Sequence, residues 1–243
     1  MMRWLWWPIL LALGGCSIMI PFSPRPIRAS APAGAAALPP EIARVKQSAV
    51  RFSGQAPACF KRIEGTGFVY APQRVMTAAH VVAGVTRSAS VTTDDGEEYP
   101  ARVVAFDPIV DIAVLYVPDL SVPPLIIADA PPGHAYVLAY PVGAEREVVQ
   151  PIKIDRDVQG VAPDLYEKRK VTKEVLELSG ADIGPGSSGA PLVVPGGRVA
   201  GMVFASSTDA PNRGYALAAV ELLPIANDAR NATRPVSTQR CAK

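Results

Sequence analysis

From about Val45 to its end this chain is a succession of short apolar runs broken by turn residues. With one exception near the C-terminus, none holds a helical period for long. The runs read AVRFSG, GTGFVYA, RVMTAAHVV, SASVTT, YPARVVAFD and DIAVLYV. After the proline-rich PDLSVPPL and DAPPGHA come AYVLAY, VVQPIKI, VTKEVLELSG, APLVV, RVAGMVF and RGYALAA. Runs of this length at this spacing predict an all-β barrel or sandwich, and 25 prolines and 19 glycines supply the turns. The break near residues 120–133 divides the strands into two sets of similar size, about 45–122 and about 123–220. The exception is LAAVELLPIANDARNA, which reads as a short helix disturbed by Pro224, within a helix and tail spanning 219–243. No internal repeat and no βαβ alternation is present. A chain of 243 residues holds one large domain or two small barrels on a shared core.

Two segments precede this body. Residues 1–22 place Arg3 before an uncharged stretch from Trp4 to Phe22, close to the ~20 residues that span a bilayer. Two readings stay open. Leu13–Cys16, LGGC, resembles a bacterial lipoprotein cleavage box, which makes Cys16 a candidate lipidation site. The apolar SIMIP after Cys16 fits an uncleaved helix instead. Either way the segment is a signal or membrane anchor, and the rest is exported and tethered to the cell envelope. Residues 23–44, which begin SPRPIRASAPAGAAALPP, read as a Pro/Ala-rich linker open to cleavage, including self-cleavage. With Cys16 set aside, Cys59 and Cys241 are a disulfide candidate in an exported chain; two free thiols are the alternative.

Charge narrows the function. Lys plus Arg number 24 and Asp plus Glu 22, so no nucleic-acid partner is expected. The two histidines, His80 and His134, lack a Cys or carboxylate at ligand spacing. No metal or other cofactor is expected.

The chemistry is carried by DIGPGSSGAPLVV, residues 182–194. A serine hydroxyl needs a base within hydrogen-bond reach and donors aimed at the developing oxyanion. Glycines on both sides let the backbone approach a substrate and turn N–H groups into a site. Both histidines precede the serines, which excludes the Ser–acid–His order of an α/β-hydrolase. The first aspartate is Asp94, so in the Asp-before-His order of a subtilisin type His80 cannot serve and only His134 could. The order His–Asp–Ser remains. His80 follows small Ala78 and Ala79, whereas His134 opens a strand after Pro-Pro-Gly. Asp111, opening DIAVLYV, is the favoured acid. Asp94 and Asp95 precede Gly96 in a hairpin turn, and Asp107 precedes Pro108 as a turn former.

TAAHVVAG, DIAVL and GSSGAPL, in this order, resemble the chymotrypsin-fold (trypsin-like) serine proteases of bacteria. GTGFVYAPQRVMTAAHVVAG, GMVF…GYALAA and the cysteines before the first histidine and at the extreme C-terminus are similar to the actinobacterial membrane-tethered acid-resistance periplasmic protease (MarP) family. The likeness covers roughly residues 45–243. It implies a double antiparallel β-barrel of chymotrypsin type with a short C-terminal helix and a cleft between barrels. It implies His80 as general base, Asp111 as its orienter and Ser188, by register, as nucleophile. It further implies an oxyanion hole from the N–H groups of Gly186 and Ser188, and a Cys59–Cys241 disulfide.

Protein or peptide substrates are implied by it as well. Asp182, six residues before Ser188, falls where trypsin-like enzymes floor the pocket for a basic side chain; hydrogen bonding within its own turn is the other reading. The chain departs from the family's usual loop at Ser187 and Ala190, where Asp or Asn and Gly are usual, and it carries at most one membrane segment. The alternatives are a protease-fold binding module and an esterase. An HtrA-type enzyme with a peptide-binding PDZ domain does not fit in the 55 residues (243 − 188) after Ser188.

Overall fold

A computed structural model of the chain describes residues 37–242 except 181 and 211. The expected signal or anchor segment with Cys16 and most of the expected linker lie outside the described residues. Among the described residues no helix is long and apolar enough to cross a membrane. One compact unit begins at Leu38.

The unit starts earlier than the strand pattern predicts. Helix α1, Pro40–Val45, takes up the end of the expected 23–44 linker and runs one residue past it. Pro40 stands in the first turn, where its missing N–H costs nothing, and Ile42 is fully buried.

Seven strands follow: β1 Ala49–Ala56, β2 Lys61–Ala71, β3 Arg74–Ala78, β4 Arg87–Thr92, β5 Glu98–Pro100, β6 Arg102–Asp107 and β7 Ile112–Tyr116. They make one curled antiparallel sheet in the order β5-β4-β1-β2-β3-β7-β6. A single helical turn, α2 Ala79–Val82, leaves the end of β3. The second set is β8 Gly133–Ala139, β9 Val148–Pro163, β10 Lys170–Ser179, β11 Pro191–Val194, β12 Arg198–Ser206 and β13 Arg213–Ala218. These six close into a barrel, β10-β13-β12-β11-β8-β9. Helix α3, Ala219–Asp228, ends the fold and contains Pro224.

Burial explains the pairing of the two halves. All five residues of β3 and four of the five in β7 are buried, so these strands are covered on both faces. Phe52, Phe68, Met76 and Leu115 of the first sheet share one apolar cluster with Leu138, Met202 and Leu217 of the second. A separate cluster, with Ile154, Leu178 and Leu192, fills the second barrel. The tail after α3 returns to the first sheet: Val236 N–H donates to Val103 O at 2.9 Å and Gly84 N–H to Thr238 O at 3.1 Å. The tail ends in a disulfide between Cys241 and Cys59.

Candidate active site at the seam between the barrels

The small residues before His80 set the geometry of its turn. Ala78 and Ala79 are fully buried, which lets the α2 turn sit close to the start of β7. Ala79 N–H donates to Asp111 O at 3.2 Å, and His80 N–H donates to Asp111 Oδ1 at 2.9 Å. The second carboxylate oxygen, Oδ2, lies 2.7 Å from His80 Nδ1. Asp111 adopts φ +76°, a left-handed conformation that Asp tolerates better than most side chains. Its own N–H donates to Asp107 O at 3.0 Å. Asp107 Oδ1 accepts from Ile109 and Val110 N–H at 2.8 and 3.2 Å, and so builds the turn before Asp111.

Electrostatics follow from this clamp. Burial opposes charge on the His80 ring, but the Asp111 carboxylate, by charge and hydrogen bond, carries its pKa above the ordinary 6.5; Lys173 pulls the other way. Lys173, on β10, is only 4% exposed. Its ammonium lies 5.9 Å from the Phe204 ring. Burial lowers its pKa, against the carboxylates of Asp111, Glu221, Asp107 and Asp164. The His80 side chain is 27% exposed. It opens on a cleft of about 630 Å³ lined also by Glu64, Val142, Pro185, Gly186 and Phe204.

The serine loop is held from both barrels. Gly186 and Gly189 have φ +92° and +86°. A Cβ on Gly186 would stand 2.5 Å from Tyr140 O and 2.7 Å from Val142 N, and one on Gly189 would collide with Thr66 O and Thr77 Oγ1. These are the two positions of the loop that need glycine. Ala190 lies outside the left-handed region and is fully buried. A methyl group therefore fits where the resembled family carries glycine. Ser187 is buried too, and its backbone closes the turn: Ser187 N–H donates to Gly184 O at 3.1 Å and Ala190 N–H to Ser187 O at 3.0 Å.

Ser188 itself is half-buried. Its carbonyl accepts from Thr66 N–H at 3.0 Å. A Cβ on neighbouring Gly65 would meet both Val81 and Ser188 O, the latter at 3.4 Å. The His80 turn and the Ser188 loop thus pack on the same stretch of β2. Among the described residues no hydrogen bond joins Ser188 Oγ to the His80 ring. Nor does the N–H of Gly186 or of Ser188 meet an acceptor among the described residues, which leaves two unpaired donors in the serine loop.

The remaining candidates lie elsewhere. His134, on β8, is exposed and stands opposite Lys153 of β9. Asp94 and Asp95 sit in the turn after β4. Asp182 is exposed, while its neighbour Ile183 is buried against Gly214, where a Cβ would strike its side chain.

Sequence reading missed Thr66. Its hydroxyl donates to Gly186 O at 2.7 Å and accepts from Tyr140 N–H at 2.9 Å, and its carbonyl accepts from Thr77 Oγ1 at 2.7 Å. The available signal was a lone polar residue between two glycines in GTGF, at the start of the buried, otherwise apolar half of β2.

The trypsin-like peptidase domain family matches residues 65–202. Serine protease Rv3671c of Mycobacterium tuberculosis (strain ATCC 25618 / H37Rv) is 39% identical over 233 residues, which is 93% of this chain; the chain spans 57% of that relative's length. The crystal structure of the Rv3671c protease in its active form superimposes with a TM-score of 0.80, at 37% identity, over 93% of this chain and 100% of that one. Its inactive form gives 0.68, at 36% identity, over 78% of this chain and 92% of that one.

Proposed function

This chain belongs to the trypsin-like peptidase family, and on that premise we propose that it is an exported serine endopeptidase acting through Ser188, His80 and Asp111. The observation that carries this reading is the doubly bonded His80–Asp111 pair, packed on the same strand as a serine loop in which the N–H groups of Gly186 and Ser188 are unpaired. Asp111 fixes the ring with Nδ1 toward the carboxylate, which leaves Nε2 as the base.

In the proposed reaction Ser188 Oγ attacks the substrate carbonyl carbon and passes its proton to His80 Nε2. The carbonyl oxygen takes the negative charge and is held by the Gly186 and Ser188 N–H groups. The C–N bond then breaks, His80 gives the proton to the leaving amine, and the acyl group stays on Ser188. Water repeats the sequence and releases the acid. Approach of Ser188 Oγ to His80 is completed on substrate binding, since such bonds are often loose in unliganded sites.

Asp182 faces solvent, so a carboxylate-floored pocket for Arg or Lys forms no part of this reading. The disulfide supports an oxidising compartment. Tethering by the uncharged N-terminal stretch, by lipid or helix, is the matching proposal for residues 1–22.

Labelling with an organophosphonate probe tests the nucleophile. The wild type and Ser187→Ala are expected to label and Ser188→Ala to stay unlabelled; equal labelling of Ser188→Ala overturns the assignment. An unlabelled wild type favours the binding-module reading, to which the missing Ser188–His80 hydrogen bond gives its footing.

A further inference from the structure

After β8 and Tyr140 the chain runs to β9 in a loop, residues 141–147, that is bonded by Arg51 of the first sheet and ends at Glu147. The Glu147 carboxylate is 0% exposed. Neither of its oxygens has a hydrogen-bond partner among the described residues, and the buried Tyr140 hydroxyl has none either. One cation approaches, Lys46 Nζ, at 3.9 Å from Oε2. That ammonium is already paired with Asp94 Oδ2 at 2.8 Å. A single positive charge thus serves two carboxylates, and the nearer one is Asp94. Burying a second, unpaired anion there is far more costly than burying a neutral acid.

The loop is tied to the cleft. Arg51 of β1 donates to the carbonyls of Ala144 and Glu145 at 2.6 and 2.9 Å and stacks over the Tyr140 ring at 5.2 Å. Val142 N–H donates to Pro185 O at 2.9 Å. The 140–142 backbone packs so closely on Gly186 that no Cβ fits there. Residue 147 is therefore linked, through five residues of strapped loop, to one of the two proposed oxyanion donors.

We propose that Glu147 is a positioning residue for the cleft: uncharged, it seats the 141–147 loop against the Pro185–Gly186 turn, and rising pH progressively favours release of that loop. The proposal rests on the reading of Gly186 N–H as an oxyanion donor, but its structural half stands without it.

The groups facing Glu147 fix the direction. Burial raises its pKa from 4.5 to about 8; Lys46, beyond α1, opposes this, and Asp94, after β4, adds to it. Tyr140, the residue after β8, is itself pushed to higher pKa, by burial first and then by Glu147 and Asp94, with Arg51 opposing. Arg146 weakly disfavours charge on Lys46. In the seated loop the acid keeps its proton up to about pH 8, and in a released loop it titrates near 4.5. The seated state binds more protons between those values, so seating is strongest below pH 4.5. Release gains about tenfold per pH unit above that, roughly three decades in all, and levels off above pH 8.

Amide hydrogen exchange on the full chain carrying Ser188→Ala reads the loop without any catalysis. After division by intrinsic exchange rates, protection at residues 142–147 and 184–187 is expected to fall as pH rises from 5 to 8. In the same background Glu147→Gln, which mimics the neutral acid, is expected to hold that protection flat. An equal fall in Glu147→Gln overturns the proposal. So does a Glu147 carboxyl carbon that titrates in the ordinary range near 4.5 when followed by NMR, a measurement independent of whether the Gln variant folds. With Ser188 intact, the His80 acid limb is common to both proteins, so the ratio of wild-type kcat to that of Glu147→Gln should fall across this range, with KM little changed. Failure of the kcat arm alone removes the oxyanion reading of Gly186 and leaves the proton-linked loop standing.

Discussion

Asp111 holds His80 at two points, Oδ1 on the backbone N–H at 2.9 Å and Oδ2 against Nδ1 at 2.7 Å. The first bond fixes where the α2 turn leaves β3, and the second fixes the ring's rotation. Asp111 does both from a left-handed φ of +76° at the mouth of β7. Ring orientation and turn position therefore depend on the same residue.

Asp111→Asn separates these roles. The amide oxygen can still accept from the backbone N–H or face the ring, but it brings no charge to stabilise an imidazolium. We expect kcat on a peptide substrate at neutral pH to fall about 10⁴-fold, in line with loss of the orienting acid in other triads. The circular dichroism spectrum and the thermal midpoint should change little. A loss below tenfold would remove Asp111 from the reaction.

The raised pKa of His80 sets the acid limb of activity. The ring is a base only when neutral, so activity should fall as pH drops through a value above 6.5, not below it. Stability runs the other way. The charged pair stabilises the fold fully below the unfolded value near 6.5, and that contribution fades as pH rises through the folded value. Lys173 works against the imidazolium from β10. Lys173→Met should therefore move the acid limb of kcat/KM to higher pH, and a shift to lower pH contradicts this electrostatic account.

How legible all this was in the sequence depends on the range of each signal. The strand pattern around His80, Asp111 and Ser188 was readable because β3, β7 and β11 are short, apolar and bounded by turn residues. Helix α1 was hidden, since a Pro-Pro pair reads as extended although proline is welcome in a first helical turn. The outer half of β9, through Asp157 to Pro163, was invisible for another reason. It pairs with β10 as far as Lys170, yet no residue of that half is buried, so no apolar alternation marks it. The aspartates near Asp111 could be sorted because a turn former and an orienting acid need different neighbours. Lys173 and Glu147 could not be found, and Thr66 left only the faint mark of a polar residue between two glycines, because their meaning arises from partners on other strands and loops.

Thr66 offers the sharpest check on how the second barrel's loop is held by the first. Its fully buried hydroxyl joins Gly186 O and Tyr140 N–H. Thr66→Val keeps the shape and strand preference but leaves a buried carbonyl and a buried amide unpaired. Such losses cost about 1–3 kcal/mol, which in a domain of this size lowers the thermal midpoint by up to roughly 10 °C. If the bond also sets the Gly186 peptide, kcat should drop at least tenfold while KM stays within about twofold, because a misplaced oxyanion donor is felt in the transition state and not in substrate binding. Thermal unfolding and steady-state kinetics on the same preparation separate the two effects. A destabilised Thr66→Val protein with unchanged kcat leaves Thr66 a structural tie alone.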